Sequence, residues 1–312
     1  MNILVTGGAG FIGSNLVKNL LETTDHSVIV VDRDKKNVQR LGNLVKDCRD
    51  VIVYNSCYES LIDYILKTYK PDTIIHLAAV PRVSYSVEHP DITTHDNVFL
   101  LSKLLNKCRS SESVKRFVFA SSSSVYGGAE VLPTPETCPL DPKSPYALQK
   151  KIGEEYCKMF SELYSLDTVC LRFFNVFGPE QYVDSPYATV ISNWCNSIKE
   201  DLPLIIDDDG NQTRDFNYVD NVVEAIKCAS FTEGRFDGDV FNVGNNEQTS
   251  LNEILEWFKQ HEHEFELDRR DPRVGDVRHT RADISKIKSI GYSPVCDVWE
   301  GLEKTAKWWG LV

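Results

Sequence analysis

The feature that most constrains this chain lies at its start. An apolar run at residues 3–6 leads directly into Gly7-Gly8-Ala9-Gly10-Phe11-Ile12-Gly13, and the residues beyond follow the spacing of an amphipathic helix. A strand that passes through glycines at 7, 10 and 13 into a helix can turn tightly, let a pyrophosphate approach the backbone and pack the helix closely on the strand. The helix N-terminus then offers oriented N–H groups to the anion. Gly7, Gly10, Phe11, Ile12 and Gly13 are therefore expected to hold a dinucleotide. Glycine turns before helices are common, and it is the position after the first strand that makes this one informative.

The rest of the chain agrees with such a start. Apolar bursts rich in β-branched residues recur at 28–32, 51–54, 73–77, 117–121 and 168–173, separated by segments of helical period. Runs without polar alternation suit strands covered on both faces, and their β-α-β-α order implies a parallel sheet. The expected fold class is α/β, a doubly wound parallel (Rossmann) sheet with a smaller mixed α/β substrate-binding lobe. Residues 1–175 would form the nucleotide-binding part, with about 216–245 returning to it, and 176–215 and 246–312 the smaller lobe. Helices are expected over 187–199, 219–230 and 298–309, with another starting near Thr249; strands are expected at 204–206 and 240–243.

Composition removes other classes. A net charge of −12 gives no basic face for nucleic acid, and no apolar run reaches membrane-spanning length. The nine cysteines include no C-x-x-C pair, so neither zinc nor a redox dithiol is indicated, and reduced thiols in a cytoplasmic protein are expected. His261-Glu262-His263 has no third ligand placed by sequence and reads as a solvated helix end. No metal is expected.

Asp32 ends the second strand, nineteen residues after Gly13. A carboxylate there accepts hydrogen bonds from the adenosine ribose hydroxyls and repels a 2′-phosphate, which favours NAD over NADP. An aspartate capping a turn is the plainer alternative, and the adjacent Arg33 is a cation able to tolerate that phosphate. Further on, Ser144-Pro145-Tyr146-Ala147-Leu148-Gln149-Lys150 reads as a helix start with Ser144 as cap. Tyr146 and Lys150, four apart, share a face. A phenol is a poor base at neutral pH, and a neighbouring ammonium, with a positive nicotinamide ring, would lower its pKa toward the working range. The strand over 117–121 opens into Ser121-Ser122-Ser123-Ser124-Val125-Tyr126-Gly127, where a hydroxyl can bridge the tyrosine and a substrate oxygen. Tyr-x-x-x-Lys alone is commonplace; joined to the glycine turn and the serine-rich strand end, it is informative.

These residues resemble the extended short-chain dehydrogenase/reductase family nearly end to end, and within it the UDP-hexose 4-epimerases, particularly the UDP-N-acetylglucosamine branch. Further marks are His76-Leu77-Ala78-Ala79, Leu171-Arg172-Phe173-Phe174-Asn175-Val176-Phe177-Gly178-Pro179 and Arg273-Val274-Gly275-Asp276. The resemblance implies an NAD-dependent enzyme that inverts C4 of a UDP-sugar through a transient 4-keto sugar. Tyr146 would be the base, Lys150 its electrostatic partner and ribose ligand, and Ser122 the hydroxyl near O4, with Ser123 beside it. Ala78 would lie along the cofactor, and Asn55 would meet the adenine where the family usually places an aspartate. Asn175, Arg214 and Arg273 would hold the diphosphate, and Asp276 the uridine ribose. A homodimer built through a four-helix bundle is also implied, from helices near 96–108 and 146–163 carrying Phe99, Leu100, Tyr156 and Phe160.

Subgroup signals narrow the reaction. Sugar-nucleotide dehydratases usually carry an Asp-Glu pair after the catalytic hydroxyl, where this chain has Ser123-Ser124. Seven residues after Arg273, epimerases restricted to unsubstituted hexoses place a tyrosine; Thr280 here leaves volume for a 2-acetamido group, so UDP-GlcNAc and UDP-GalNAc are expected substrates. Arg82, in a loop over 80–86 where small residues are more usual, is either solvated or placed to meet a phosphate or an acidic sugar, which keeps UDP-glucuronate 4-epimerisation open. A sugar-nucleotide 4-ketoreductase and a non-catalytic NAD-sensing regulator are the remaining alternatives.

Overall fold

The computed structural model describes residues 1–183, 189–261, 263–271 and 277–312. Among them, seven strands form one parallel sheet: β1 (Asn2–Thr6), β2 (Ser27–Asp32), β3 (Val51–Asn55), β4 (Thr73–His76), β5 (Arg116–Ser122), β6 (Thr168–Phe173) and β7 (Asp239–Val243). Their spatial order is β7-β6-β5-β4-β1-β2-β3. The chain moves outward from β1 in one direction through β3, then returns and continues in the other. The order therefore reverses beside β1, and a crevice opens at the carboxyl ends of the strands there.

The central strands are almost wholly buried, which is why they read as unbroken apolar runs. On one face, Leu16, Val17 and Leu20 of the first helix pack with Val222 and Ile226 of the Val219–Phe231 helix. On the other, Ile62, Ile65, Leu101, Leu104 and Phe160 cover the sheet. A separate apolar cluster joins Trp194 and Ile191 of the Val190–Lys199 helix to Leu204, Ile206, Ile254, Phe258 and Leu302. Around it lie short strand pairs: Leu204–Asp207 runs parallel to Leu267–Arg270, and Thr213–Arg214 antiparallel to Thr249–Ser250. The strand expected at 240–243 does return to the large sheet, pairing parallel to β6.

Several expectations change. The helix over 187–199 is described from Val190, residues 184–188 lying outside the described set. The segment read as a loop over 80–86 turns helical at Val83–Glu88, because Ser86 is tied both to its own turn and to the start of the Pro145–Tyr164 helix. Two of the residues assigned to a subunit interface are not available for one: Leu100 and Phe160 are 4% and 6% exposed, packed inside their own core. The exposed apolar residues of those helices are instead Phe99, Leu148, Met159 and Leu163. His261 stacks on Trp257, their ring centroids 3.9 Å apart. Trp309 is buried, and Trp308 packs edge-on against Tyr182. No described helix is long and apolar enough to cross a membrane.

Candidate functional site

The carboxyl ends of β1, β2, β4, β5 and β6 converge on a cavity of about 1190 Å³. That volume exceeds what a single small ligand usually fills and leaves room for two nucleotide-sized ones. The floor at β1 is the glycine turn. Gly7 has φ +70°, and a Cβ there would sit 2.6 Å from the Ala78 nitrogen. A Cβ on Gly13 would lie 2.4 Å from the Gly7 carbonyl oxygen. Gly10 precedes the Phe11–Thr23 helix as its N-cap without a capping side chain, and the first turn holds no acidic residue. The leading N–H groups of a helix have no intrahelical partner, so this end is prepared for an anion. Gly7, Gly10, Phe11, Ile12, Gly13 and Ala78 all line the cavity.

Asp32 faces the same space. Its carboxylate accepts from the Ala9 nitrogen at 3.2 Å and the Asp34 nitrogen at 3.0 Å, which fixes the group while burial raises its pKa from the usual carboxylate value. Arg33 also borders the cavity, with its guanidinium paired to Asp96 at 2.6 Å. Asn55 differs from expectation. Its amide donates to the Asp32 carbonyl oxygen at 3.2 Å and it is not among the cavity-lining residues, whereas Ser56, Cys57 and Tyr58 are. Adjacent residues of a strand point to opposite faces, and here the next turn rather than the strand end borders the space.

The central part of the site rests on the Pro145–Tyr164 helix. Ser144 caps it by accepting from the Ala147 nitrogen, and Pro145 occupies the first turn. The Tyr146 nitrogen donates to Ser86 Oγ at 3.0 Å, a tie the sequence did not suggest. Gln149 donates to Thr93 Oγ1 and accepts from Asn97 Nδ2, while Asn97 Oδ1 holds the Val80 nitrogen. The loop carrying Arg82 is thereby fixed to the same helix, and Arg82 lines the cavity.

Tyr146, Lys150, Ser122 and Ser123 border one space. The Ser122 side chain lies close enough to the Tyr146 phenol to favour its ionised form. Lys150 Nζ donates to the Ala120 carbonyl oxygen at 2.7 Å and lies 5.7 Å from the centre of the Tyr146 ring. The electrostatics depart from the expected lowering of the phenol. Burial pushes Tyr146 up to about 12, with Ser122 opposing, and pushes Lys150 down to about 8, with Glu154 opposing. Desolvation dominates, so the chain's own groups leave the phenol protonated at neutral pH.

Glu154 went unnoticed in the sequence. It sits one turn beyond Lys150, 5% exposed, and accepts from Arg172 Nε at 2.9 Å and Arg172 Nη2 at 2.7 Å. Ser121 Oγ donates to it as well, and Arg172 Nη1 donates to the Tyr126 hydroxyl at 2.8 Å. Arg172 lies directly across from Ser121 in the β5–β6 register, so the network spans the two strand ends one turn along the helix from Lys150.

On the far wall, Asn175 Nδ2 donates to Thr280 Oγ1 at 3.2 Å, and the same hydroxyl accepts from the Asp215 nitrogen at 3.2 Å. Arg214 Nη1 donates to the Thr213 and Arg278 carbonyls at 3.0 and 3.1 Å. Asn175, Arg214 and Thr280 line the cavity with Tyr146. Asp215, fully buried, accepts from the main-chain nitrogens of Asn245, Asn246 and Ala282, and burial pushes it up to about 7 despite those donors. It pins the segments that carry Arg214 and Thr280. Arg273 and Asp276 lie outside the described residues. Among the described residues, no group of three or more His, Cys, Asp or Glu is arranged to hold a metal ion.

The model of the NAD dependent epimerase/dehydratase family matches residues 3–244. The UDP-glucose 4-epimerase of Mycolicibacterium smegmatis is 34% identical over 316 residues, covering 98% of each chain. Among solved structures, the UDP-N-acetylglucosamine 4-epimerase of Methanobrevibacter ruminantium, in complex with UDP-N-acetylmuramic acid, superposes with a TM-score of 0.89 at 35% identity, covering 98% of this chain and 97% of that one. The UDP-glucuronic acid 4-epimerase of Bacillus cereus, with UDP-glucuronic acid and NAD, gives a TM-score of 0.90 at 29% identity over 99% of both chains.

Proposed function

Because the chain belongs to the NAD dependent epimerase/dehydratase family, we propose that it is an NAD-dependent UDP-sugar 4-epimerase whose preferred substrates are UDP-GlcNAc and UDP-GalNAc. One observation carries this reading: Tyr146, Lys150 and Ser122 border the same cavity as the glycine turn and Asp32. The residues fit the dinucleotide, since Gly7 and Gly13 pack the turn against backbone too closely for any side chain and so bring the uncapped helix N-terminus to the cavity. Gly7, Gly10, Phe11, Ile12, Gly13 and Ala78 would hold NAD along β1, Asp32 its adenosine ribose and Lys150 its other ribose. When bound, NAD supplies the acceptor and donor of the C4 hydride, without net consumption.

The protein's own residues handle the proton and the nucleotide. Tyr146 takes the C4 hydroxyl proton, with Ser122 bridging the phenol and O4. Lys150 holds positive charge beside the phenolate that accepts the proton. Asn175 and Arg214, with Arg273 and Asp276, keep the UDP in place while the 4-keto sugar turns; a planar guanidinium suits a diphosphate because it meets two oxygens at once. The small Thr280, opposite Tyr146, supports an acetamido substituent. Ser123 and Ser124, in place of carboxyls, leave no acid–base pair there for eliminating water. Arg82, bordering the same cavity, favours UDP-glucuronate as a second reading.

Residues 1–175 and about 216–245 would form the NAD-binding unit, with 176–215 and 246–312 holding the UDP-sugar. Exposed Leu148, Met159, Leu163 and Phe99 support a homodimer through a four-helix bundle, and nine unpaired cysteines support a cytoplasmic home. The test is to incubate the NAD⁺-loaded protein with UDP-GlcNAc, UDP-Glc and UDP-GlcA without reductant and follow the products by proton NMR. Interconversion of UDP-GlcNAc and UDP-GalNAc, abolished by Tyr146→Phe, is expected. A stoichiometric need for NAD(P)H would identify a reductase, and NAD binding without turnover on any UDP-sugar would sink the enzymatic reading.

A further inference from the structure

At the adenosine end of the cavity, the residue that follows Asp32 poses a physical problem. A guanidinium beside the ribose carboxylate is the group best suited to receive a 2′-phosphate, and its presence would blunt the discrimination that Asp32 provides. The structure places a counter-ion there. Arg33 Nη2 lies 2.6 Å from Asp96 Oδ2, and both residues border the cavity. Asp96 comes from a different part of the fold, the π-helical turn His95–Phe99 beyond β4, and its side chain is only 12% exposed. Its other oxygen faces His95 Nδ1 at 3.2 Å, so the carboxylate is held from two sides. Asp32 is itself occupied by the Ala9 and Asp34 nitrogens.

The other arginine that borders this end, Arg40, is turned elsewhere: its guanidinium lies 3.7 Å over the Tyr182 ring and Nη1 donates to Asn37 Oδ1 at 3.2 Å.

We propose that Asp96 is a coenzyme-specificity residue, which positions Arg33 away from a ribose 2′-phosphate so that this site selects NAD through the Arg33–Asp96 pair as well as through the charge of Asp32. The inference rests on the reading of Asp32 as the adenosine-ribose ligand. Two barriers then act in series. Asp32 repels the phosphate, and Asp96 draws off the adjacent Arg33 cation that would compensate. Removing either alone leaves the other in force, so their effects on NADP⁺ binding are not additive.

The experiment measures dissociation constants of NAD⁺ and NADP⁺ for the cofactor-stripped full-length protein by calorimetry. The variants are Asp32→Ser, Asp96→Ala, the double variant, and the double variant with Arg33→Ala. Urea midpoints check that each remains folded; the partly exposed Arg33–Asp96 pair contributes little to stability. The expected result is that Asp96→Ala on the Asp32→Ser background lowers the NADP⁺/NAD⁺ dissociation-constant ratio by a further factor of about ten, the worth of one charge-assisted hydrogen bond to phosphate. Adding Arg33→Ala should restore the ratio of the Asp32→Ser variant. The proposal is overturned if Asp96→Ala adds nothing on that background, or if the gain survives the loss of Arg33. Failure of the unaltered protein to bind NAD⁺ at all would instead refute the assignment of the site.

Discussion

Removing the Glu154 carboxylate gives the sharpest test of how this site is held together. Glu154 and Arg172 are each 5% exposed and meet through two hydrogen bonds, 2.9 and 2.7 Å long. Glu154→Ala would leave a guanidinium with permanent charge in the interior, still bonded to the Tyr126 hydroxyl but without its counter-ion. Breaking a buried pair from one side costs about 3–5 kcal/mol, mostly the penalty of the stranded charge. The Ser121 hydroxyl also loses its acceptor, which places the expected loss at the upper end of that range. Urea unfolding followed by tryptophan fluorescence measures it. Replacing both partners, Glu154→Leu with Arg172→Met, removes the uncompensated charge and should cost less than Glu154→Ala alone. A loss below about 1 kcal/mol for Glu154→Ala, or a double variant that costs the sum of the two single changes, would refute the view that the pair matters through mutual neutralisation.

Three further predictions follow from the geometry. Lys150→Met should move the rising limb of the kcat–pH profile to higher pH, because burial already holds the phenol at about 12 with the ammonium beside it and removing that charge makes the phenolate costlier still; an unchanged midpoint would show that the ammonium plays no part. Thr280→Tyr should cut kcat/KM for UDP-GlcNAc at least about tenfold relative to UDP-Glc, and an equal loss on both would show that bulk at this position does not select the sugar. Gly13→Ala drives a Cβ to within 2.4 Å of the Gly7 carbonyl, so NAD⁺ affinity measured by calorimetry should fall at least about tenfold while the circular dichroism spectrum is kept; wild-type affinity would mean the turn is not the pyrophosphate cradle.

The strands and the glycine turn were legible because each has a short-range cause. β1, β5 and β6 are covered on both faces, so their apolar runs show without any knowledge of neighbours. Ser144 and Pro145 mark a helix start within two residues. Tyr146 and Lys150 could be paired by helical spacing alone. Other parts of the site depend on distant partners. Glu154 completes the stack of 146 and 150, yet in sequence it stands beside Glu155 and looks like half of a solvated pair; its meaning comes from Arg172, on the neighbouring strand. Asp215 hides between Arg214 and Phe216, and the nitrogens it binds are 30, 31 and 67 residues away. The direction in which Asn55 faces depends on where its strand ends and the next turn begins, which spacing does not reveal. Burial, which raises the Tyr146 pKa against the lowering expected from an ammonium and a nicotinamide together, cannot be counted from sequence as a charge can.

That reversal bears on how the base works. A unit charge at 5.7 Å, the separation of Lys150 Nζ from the Tyr146 ring centre, is worth about 3 kcal/mol at an effective dielectric near 20. The phenol nevertheless stands at about 12 with Lys150 already in place, because burial outweighs whatever the chain's own charges supply. Lysine alone therefore does not make Tyr146 a base at neutral pH. A second positive charge of comparable weight would bring it toward about 10, and an oxidised nicotinamide would supply one. In the proposed epimerisation Tyr146 would then release its proton more readily while both charges are present and hold it more tightly once one is neutralised. The proton would stay on the phenol while the sugar is a ketone and return to O4 when the second charge is restored. Burial, which first looks like an obstacle to catalysis, is what ties the state of Tyr146 to the state of its cofactor: in a solvated site the same charges would be screened and the phenol would respond to neither.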